Sequence, residues 1–290
     1  MTTAAAVPGL VTTRTKAPIF RLLRAELRFM LRRPRTLAAL GLVAIVPIVA
    51  GIGVSLATSA PPGGGPDQAI AGIAAIIRGN GLILPVFVLL LSMAMLLPLL
   101  GTMWSADAIA GEASAGGLRN LLLAPVGRAR LLAVKAFGIA VMCLVAVVIM
   151  AVVGVIAGMV ILGGNQMLTL SGSTLGFGPS LGRIALLVAM VTIQVWAVAA
   201  IALAISTATD HPLIVLSVTL GGVILFTVLA AIPSLDWLHP VLLTTGFADL
   251  ADVVRDPMPT DAMTEAILRA ASYILIGYSI ALGRMATRDG

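Results

Sequence analysis

Long apolar runs alternate with short polar stretches along this chain, and the runs set its architecture. They fall at 37–57, 82–104, 136–162, 184–208, 212–232 and 266–283. An α-helix of roughly 20 apolar residues crosses a bilayer core about 30 Å thick. Each run is too continuous for a strand of a membrane barrel, in which inward and outward positions alternate. The pattern predicts an all-α, polytopic membrane protein with six transmembrane helices. The third run extends back to Leu131 and is apolar to Leu162 apart from Lys135. A single helix of that length, on the order of 48 Å, must tilt or protrude from the membrane. Within it, Gly154 and Gly158 have the spacing that lets two helices approach closely.

The polar stretches carry the finer predictions. Residues 1–17 read as a disordered tail, and 18–290 as one transmembrane domain. Residues 18–34, PIFRLLRAELRFMLRRP, are bracketed by prolines and predict a short helix. On a helical projection Arg21, Arg24, Arg28 and Arg32 form one stripe beside Phe20, Leu23, Leu27 and Leu31, with Leu22 and Phe29 outside it. Such a helix lies along a leaflet, arginines among the phosphates and apolar stripe in lipid. A plain topology anchor is the simpler reading of the same residues.

Residues 105–130 predict a polar hairpin between the second and third spans. Leu118, Leu121 and Leu122 follow i, i+3, i+4 spacing and share one face of a short helix, which Pro125 ends. An apolar patch shown to water points to a protein partner. The loop 58–81 contains PPGGGP and reads as flexible, 163–182 as an uncharged glycine-rich loop, and 206–212 as a tight turn from which Pro212 starts the fifth helix. Residues 233–265 form an outer apolar segment. Within it VLLTTGFADLADVV predicts a short helix with Leu242, Phe247, Leu250 and Val254 inward and Asp249 and Asp252 exposed. Trp237 fits an interfacial anchor. The segment reads as an exit gate or a lid.

Composition sharpens this picture. Sixty per cent of residues are apolar, 10% are charged and the mean hydropathy is +1.12, outside the range of soluble domains. Of the 18 lysines and arginines, eight lie in the first 35 residues. Arg119, Arg128, Arg130 and Lys135 flank the hairpin, and Arg284 and Arg288 close the chain. Residues 233–265 instead hold six acids against one arginine. Lysine and arginine mark the cytoplasmic side, so both termini are expected in the cytoplasm and the protein in the inner cell membrane. The net charge of +6 is then a topology signal rather than a nucleic-acid footprint. The first apolar run is long enough to span and stay, so no cleavable signal peptide is expected. Cys143, mid-span, reads as a small buried hydrophobe.

Absent chemistry narrows the function. Lys135 and Arg269 lie near span ends, and no ionisable residue falls deeper, where an ion-driven carrier needs carboxylates or histidines. Gln194, Thr192 and Trp196 are the most polar deep group and read as interhelical hydrogen bonding. His211 and His239 fall on opposite sides and cannot form a metal or catalytic pair together. There is no HExxH, GxSxG or phosphate loop. The chain is therefore not expected to be an enzyme by itself, and a separate motor subunit is the economical energy source.

The hairpin carries a family resemblance. Gly111-Glu112, Gly116-Gly117-Leu118-Arg119, Leu121-Leu122, Ala124-Pro125-Val126, Arg128, Leu131-Leu132 and Lys135 are similar to a pattern in permease subunits of type-2 ABC transporters. Ser114 and Ala115 stand where charged residues often precede the glycine. The order of parts and the tail LGRMATRDG also resemble that family. The resemblance implies an exporter subunit that works with two cytoplasmic ABC ATPases, which hold ATP and magnesium, and with a second permease. It implies that 106–124 is the coupling helix, with Gly111, Glu112, Gly116, Leu118, Arg119, Leu121, Leu122, Pro125 and Arg128 at the ATPase. Glu112 would make a polar contact there. The seam between permeases would involve the first and fifth spans, where Gly41, Gly51, Gly53, Gly221 and Gly222 permit close approach. The chain itself needs no cofactor and no metal, and its other partners are membrane lipids. The low charge of the spans suggests a lipid or drug-like cargo. Two alternatives stand beside this: a permease-like component of copper or metalloprotein assembly, which would want Met, His or Cys clusters on the outer face where only the scattered His239, Met258 and Met263 occur, and a regulatory or scaffold partner. An intramembrane enzyme lacks the paired carboxylates or histidines it would need.

Overall fold

The structure, a computed structural model, describes residues 18–59, 79–114 and 127–287. The tail 1–17, most of the PPGGGP loop and the hairpin tip with Gly116, Leu118, Arg119, Leu121, Leu122 and Pro125 lie outside the described residues. The architecture is helical throughout, as expected. Five helices are long and apolar enough to cross a membrane, and a bent pair makes six.

The first break in the chain is chemical. Helix α1 spans Ile19–Arg32 and α2 spans Pro34–Ser59, with Arg33 extended between them (φ −73°, ψ 125°). A residue before proline is driven out of the helical region by the ring, so Pro34 separates the two helices.

The second span differs from the single run expected. It is α3 (Ile83–Met93) and α4 (Leu96–Ala108), bent by 55°. Pro98 has no N–H to give the carbonyl of Ala94, and its ring crowds that carbonyl. The chain responds at Met95 (φ −151°, ψ −43°) and restarts one turn before the proline. The pair nevertheless traverses the bundle. At its start Gly79 and Gly81 donate to the carbonyls of Leu162 and Gly163 (3.2 and 3.0 Å). Beyond its end the short helix α5 (Ala110–Ser114) meets Ser206 and Lys135, at the opposite pole.

Helix α6 (Arg128–Ala157) continues through a π turn, Gly158–Leu162, as one 35-residue rod. Gly154 and Gly158 work as their spacing suggests. A Cβ on Gly154 would lie 2.9 Å from Pro85 Cα, and one on Gly158 would strike the carbonyl of Gly81. Gly163 (φ +74°) and Gly164 (φ +79°) then turn the chain through a region that only glycine enters readily. The loop beyond was expected to be irregular. It contains a small hairpin, β1 (Met167–Leu168) against β2 (Thr174–Leu175).

Helix α7 (Phe177–Ala208) is the central post, with Leu187, Val191, Val195, Val198 and Ala202 buried on several sides. Thr209–His211 turn the chain, and Pro212 starts α8 (Pro212–Ala230) as expected. After the 233–259 segment, α10 (Thr260–Thr287) returns along α7. Gly277 sets that crossing, since a Cβ there would stand 2.7 Å from the Ala200 carbonyl. The outward faces of α2, α8 and α10 remain apolar, with Ile45, Val49, Val218, Leu225, Leu268 and Leu275 exposed. Lipid asks for nothing else there.

The 233–259 segment forms a cap over one pole. It comprises a 3-10 turn (Pro233–Leu238), the single-turn helix α9 (Thr245–Ala248) and another 3-10 turn (Asp249–Val254). Leu242, Leu250 and Val254 are buried and Phe247 half-buried, as the pattern predicts, and Trp237 is exposed. Asp249 and Asp252 correct the expectation: both are half-buried, because the helix is too short and too tightly wound to keep an acidic face clear of the bundle.

Candidate functional site

At the α1 pole four charged side chains from four segments meet beside the hairpin. Their placement begins with α1. Leu22, Leu23, Glu26, Leu27 and Met30 form its inner side, and Met30 is fully buried. They can press on α6 because Gly138 offers no side chain: a Cβ there would lie 2.9 Å from Met30 Sδ and 3.1 Å from Glu26 Cγ. One turn earlier on α6 stands Lys135, 5% exposed.

Helix α5 brings the third member. Its first N–H, on Ala110, donates to Ser206 Oγ on α7 (3.0 Å), and Ser105 Oγ lies 2.9 Å from the Ala199 carbonyl. Small residues on both helices, with Ala106, Ala110 and Ala202 buried together, permit that approach. Glu112 is thereby held over the foot of α6. Lys135 Nζ donates to Glu112 Oε1 (2.5 Å) and to Glu26 Oε1 (3.0 Å), and Arg33 Nη2 approaches Glu112 Oε1 at 3.5 Å. Phe29 covers the assembly, with Arg33 Cζ 4.3 Å and Lys135 Nζ 5.7 Å from its ring centroid. Two cations face two carboxylates, so the cluster is neutral as a whole. Burying charge is tolerable only when it is paired in this way.

The sequence-derived candidates distribute around this cluster. Gly111 lies in α5 beside Glu112. Glu112, expected at a partner subunit, is engaged within its own chain. Arg128 reaches across to the end of α10, donating to the Ala286 carbonyl (3.0 Å). Arg21, Arg24, Arg28 and Arg32 are all exposed and line a shallow groove of about 390 Å³ with Ala25 and Phe29. The apolar stripe predicted beside them is divided: Phe20 and Leu31 face outward, whereas Leu23 and Leu27 are half-buried against the protein. The helix is packed on α6, so half of its apolar surface is spent on protein rather than lipid. Glu26 and Gly138 were not singled out from the sequence. The available signal was an acid on the basic helix and a glycine one turn after the lysine.

Deeper in the bundle the polar residues tie helices together. Gln194 Nε2 donates to the Ala266 carbonyl (3.2 Å) and Trp196 Nε1 to that of Ala140 (2.9 Å), as expected of interhelical bonds. Thr192 instead bonds the Val188 carbonyl of its own helix (2.7 Å). Cys143 is buried.

At the opposite pole arginines hold backbone. Arg183 Nη1 donates to the carbonyls of Val253 (2.7 Å) and Arg255 (2.6 Å), while its Nη2 lies 3.6 Å from Asp256. Arg269 donates to the Leu242 carbonyl (3.2 Å) and to Thr245 Oγ1. Burial pushes the Asp249 carboxyl above its ordinary range; Arg269 opposes that rise, and Asp252 and Glu265 add to it. Among the described residues no three His, Cys, Asp or Glu side chains converge as metal ligands would.

The chain was compared with known proteins. A family model described as ABC-2 family transporter protein matches residues 20–272, from α1 through the first half of α10. No curated protein matches the chain.

Proposed function

The chain belongs to the ABC-2 transporter family, and from that premise we propose that it is the permease subunit of an ATP-driven exporter. Two cytoplasmic ATPase subunits, carrying ATP and magnesium, dock on the hairpin between the second and third spans. A second permease, identical or related, completes the pore. The cargo is hydrophobic or amphipathic, a lipid or drug-like molecule, and leaves from the cytoplasm or inner leaflet.

The observation that carries this reading is the Lys135 junction. Lys135 binds Glu112, at the hairpin's edge, and Glu26, on α1, while standing on the long rod of α6. A push on the hairpin therefore reaches α1 and the third span together. The charge distribution supports an orientation: Arg21, Arg24, Arg28, Arg32, Arg33, Arg128 and Lys135 crowd the α1 pole, against Arg183, Arg255 and Arg269 at the other, which also carries Asp236, Asp249, Asp252, Asp256 and Asp261. By the positive-inside rule this bias supports a cytoplasmic α1 pole. For the seam between permeases, Gly41, Gly53, Gly221 and Gly222 have open space where a side chain would stand, which favours close approach of a partner. Gly51 packs inward against Leu84 and Ile161 and takes no part.

The test is a mild-detergent pulldown of the tagged chain from its native membrane, with mass spectrometry of what co-purifies. The expected result is a stoichiometric subunit bearing a phosphate loop, lost when Leu121→Asp and Leu122→Asp are combined although the chain still inserts. A chain that purifies without any nucleotide-binding protein would overturn the reading.

A further inference from the structure

We propose that a crevice between α7 and α10 at the α1 pole holds one anionic phospholipid, its phosphate on Arg284 and an acyl chain in the crevice. The cavity measures about 440 Å³, and Ile201, Ala204, Ile205, Ile276 and Ile280 supply much of its apolar wall. Arg284 is the charged member of that lining. It is exposed, and among the described residues its guanidinium makes no ion pair or hydrogen bond. A guanidinium with free donors at the edge of an apolar slot is matched by a phosphate, which it can grip through two parallel bonds.

Dimensions favour the same occupant. The deep end is closed by Phe226 and Tyr273, whose rings meet edge to face with centroids 6.5 Å apart. From Tyr273 to Arg284 the helix rises about 16 Å at 1.5 Å per residue. That is half of a hydrocarbon core of about 30 Å, the depth of one leaflet. A headgroup on Arg284 thus lies at the membrane surface while its chain ends against the aromatic pair.

The test uses the full-length chain in phosphatidylcholine vesicles carrying a minor share of phosphatidylglycerol with a photoactivatable acyl chain. Labelled peptides are mapped by mass spectrometry. Labelling is expected to concentrate on 201–208 and 276–284, and Arg284→Glu should lower it there on the order of tenfold, the loss of one charge-assisted contact. Labelling near α1 should change less than about twofold in Arg284→Glu, and Arg284→Lys should retain most of the signal. Inorganic phosphate should not compete, since the chain supplies part of the binding. Ile280→Trp, which narrows the slot and leaves the charge, should also lower labelling and decides the matter if Arg284→Glu does not fold. Equal labelling by photoactivatable phosphatidylcholine, unchanged labelling in both variants, or a copy-to-copy crosslink at Ile280 would each overturn the proposal.

Discussion

The less exposed cations of the two poles differ in their main partners. At the α1 pole Lys135 and Arg33 face carboxylates, side chain to side chain, and three of the four partners belong to different helices. At the other pole Arg183 and Arg269 hold carbonyls of the 233–259 cap. Carbonyls are fixed to the main chain, so these arginines set the path of a segment too irregular to satisfy its own backbone. Carboxylates on flexible side chains can exchange partners while a charge stays neutralised. One pole therefore fixes the path of a backbone segment, and the other ties helices together through side chains that neutralise one another.

The largest expected effect tests the α1 pole. Lys135→Met leaves Glu26 and Glu112 without their shared cation and should destabilise the chain by about 3–5 kcal/mol, the usual result of breaking a buried pair from one side. Thermal unfolding in detergent checks it, and adding Glu26→Gln and Glu112→Gln should restore most of the loss. A single variant as stable as the parent would mean that the cluster holds nothing.

The next effect belongs to the cap pole. Arg183→Leu removes two hydrogen bonds to cap carbonyls at a rim that water can reach, each contributing about 1 kcal/mol net. The cost should appear locally, as faster hydrogen exchange over 248–256 with a smaller change in the unfolding midpoint. A midpoint drop equal to that of Lys135→Met, with no local opening, would erase the contrast between the poles.

The smallest effect concerns pH. Because the Asp249 carboxyl is raised in the folded cap, the native state binds its proton more readily than the unfolded chain does. Stability of the cap should therefore rise as pH falls from neutral through the raised value toward the ordinary carboxylate range, and level off below it. Protease protection of the cap, followed across that window, should increase in the parent and stay flat in Asp249→Asn. A parallel increase in the variant would show that Asp249 is not its source.

Legibility in the sequence followed the range of the interactions. The spans, the start at Pro212 and the inward faces of Leu242, Leu250 and Val254 depend on neighbours within a few residues, and all could be read directly. Pro98 was visible but its consequence was not, because an apolar run conceals a bend that hydropathy does not register. The hairpin tip and its leucines remain a matter of pattern and resemblance.

By itself, then, the sequence determined a six-span helical membrane protein with one basic pole, since hydropathy, helix periodicity and charge distribution all act locally. Only the tertiary structure decided that Lys135, placed by its sequence near the end of a span, is the buried hub between Glu26 and Glu112. Glu26 lies 109 residues away in the chain. Nothing in the spacing of either residue encodes their meeting. It comes from α1 folding back at Pro34 onto the bare backbone of Gly138, and from α5 being drawn over α6 by Ser206. Once those backbones were close, three charged groups had water on too few sides to remain apart, and pairing followed from the cost of leaving them alone.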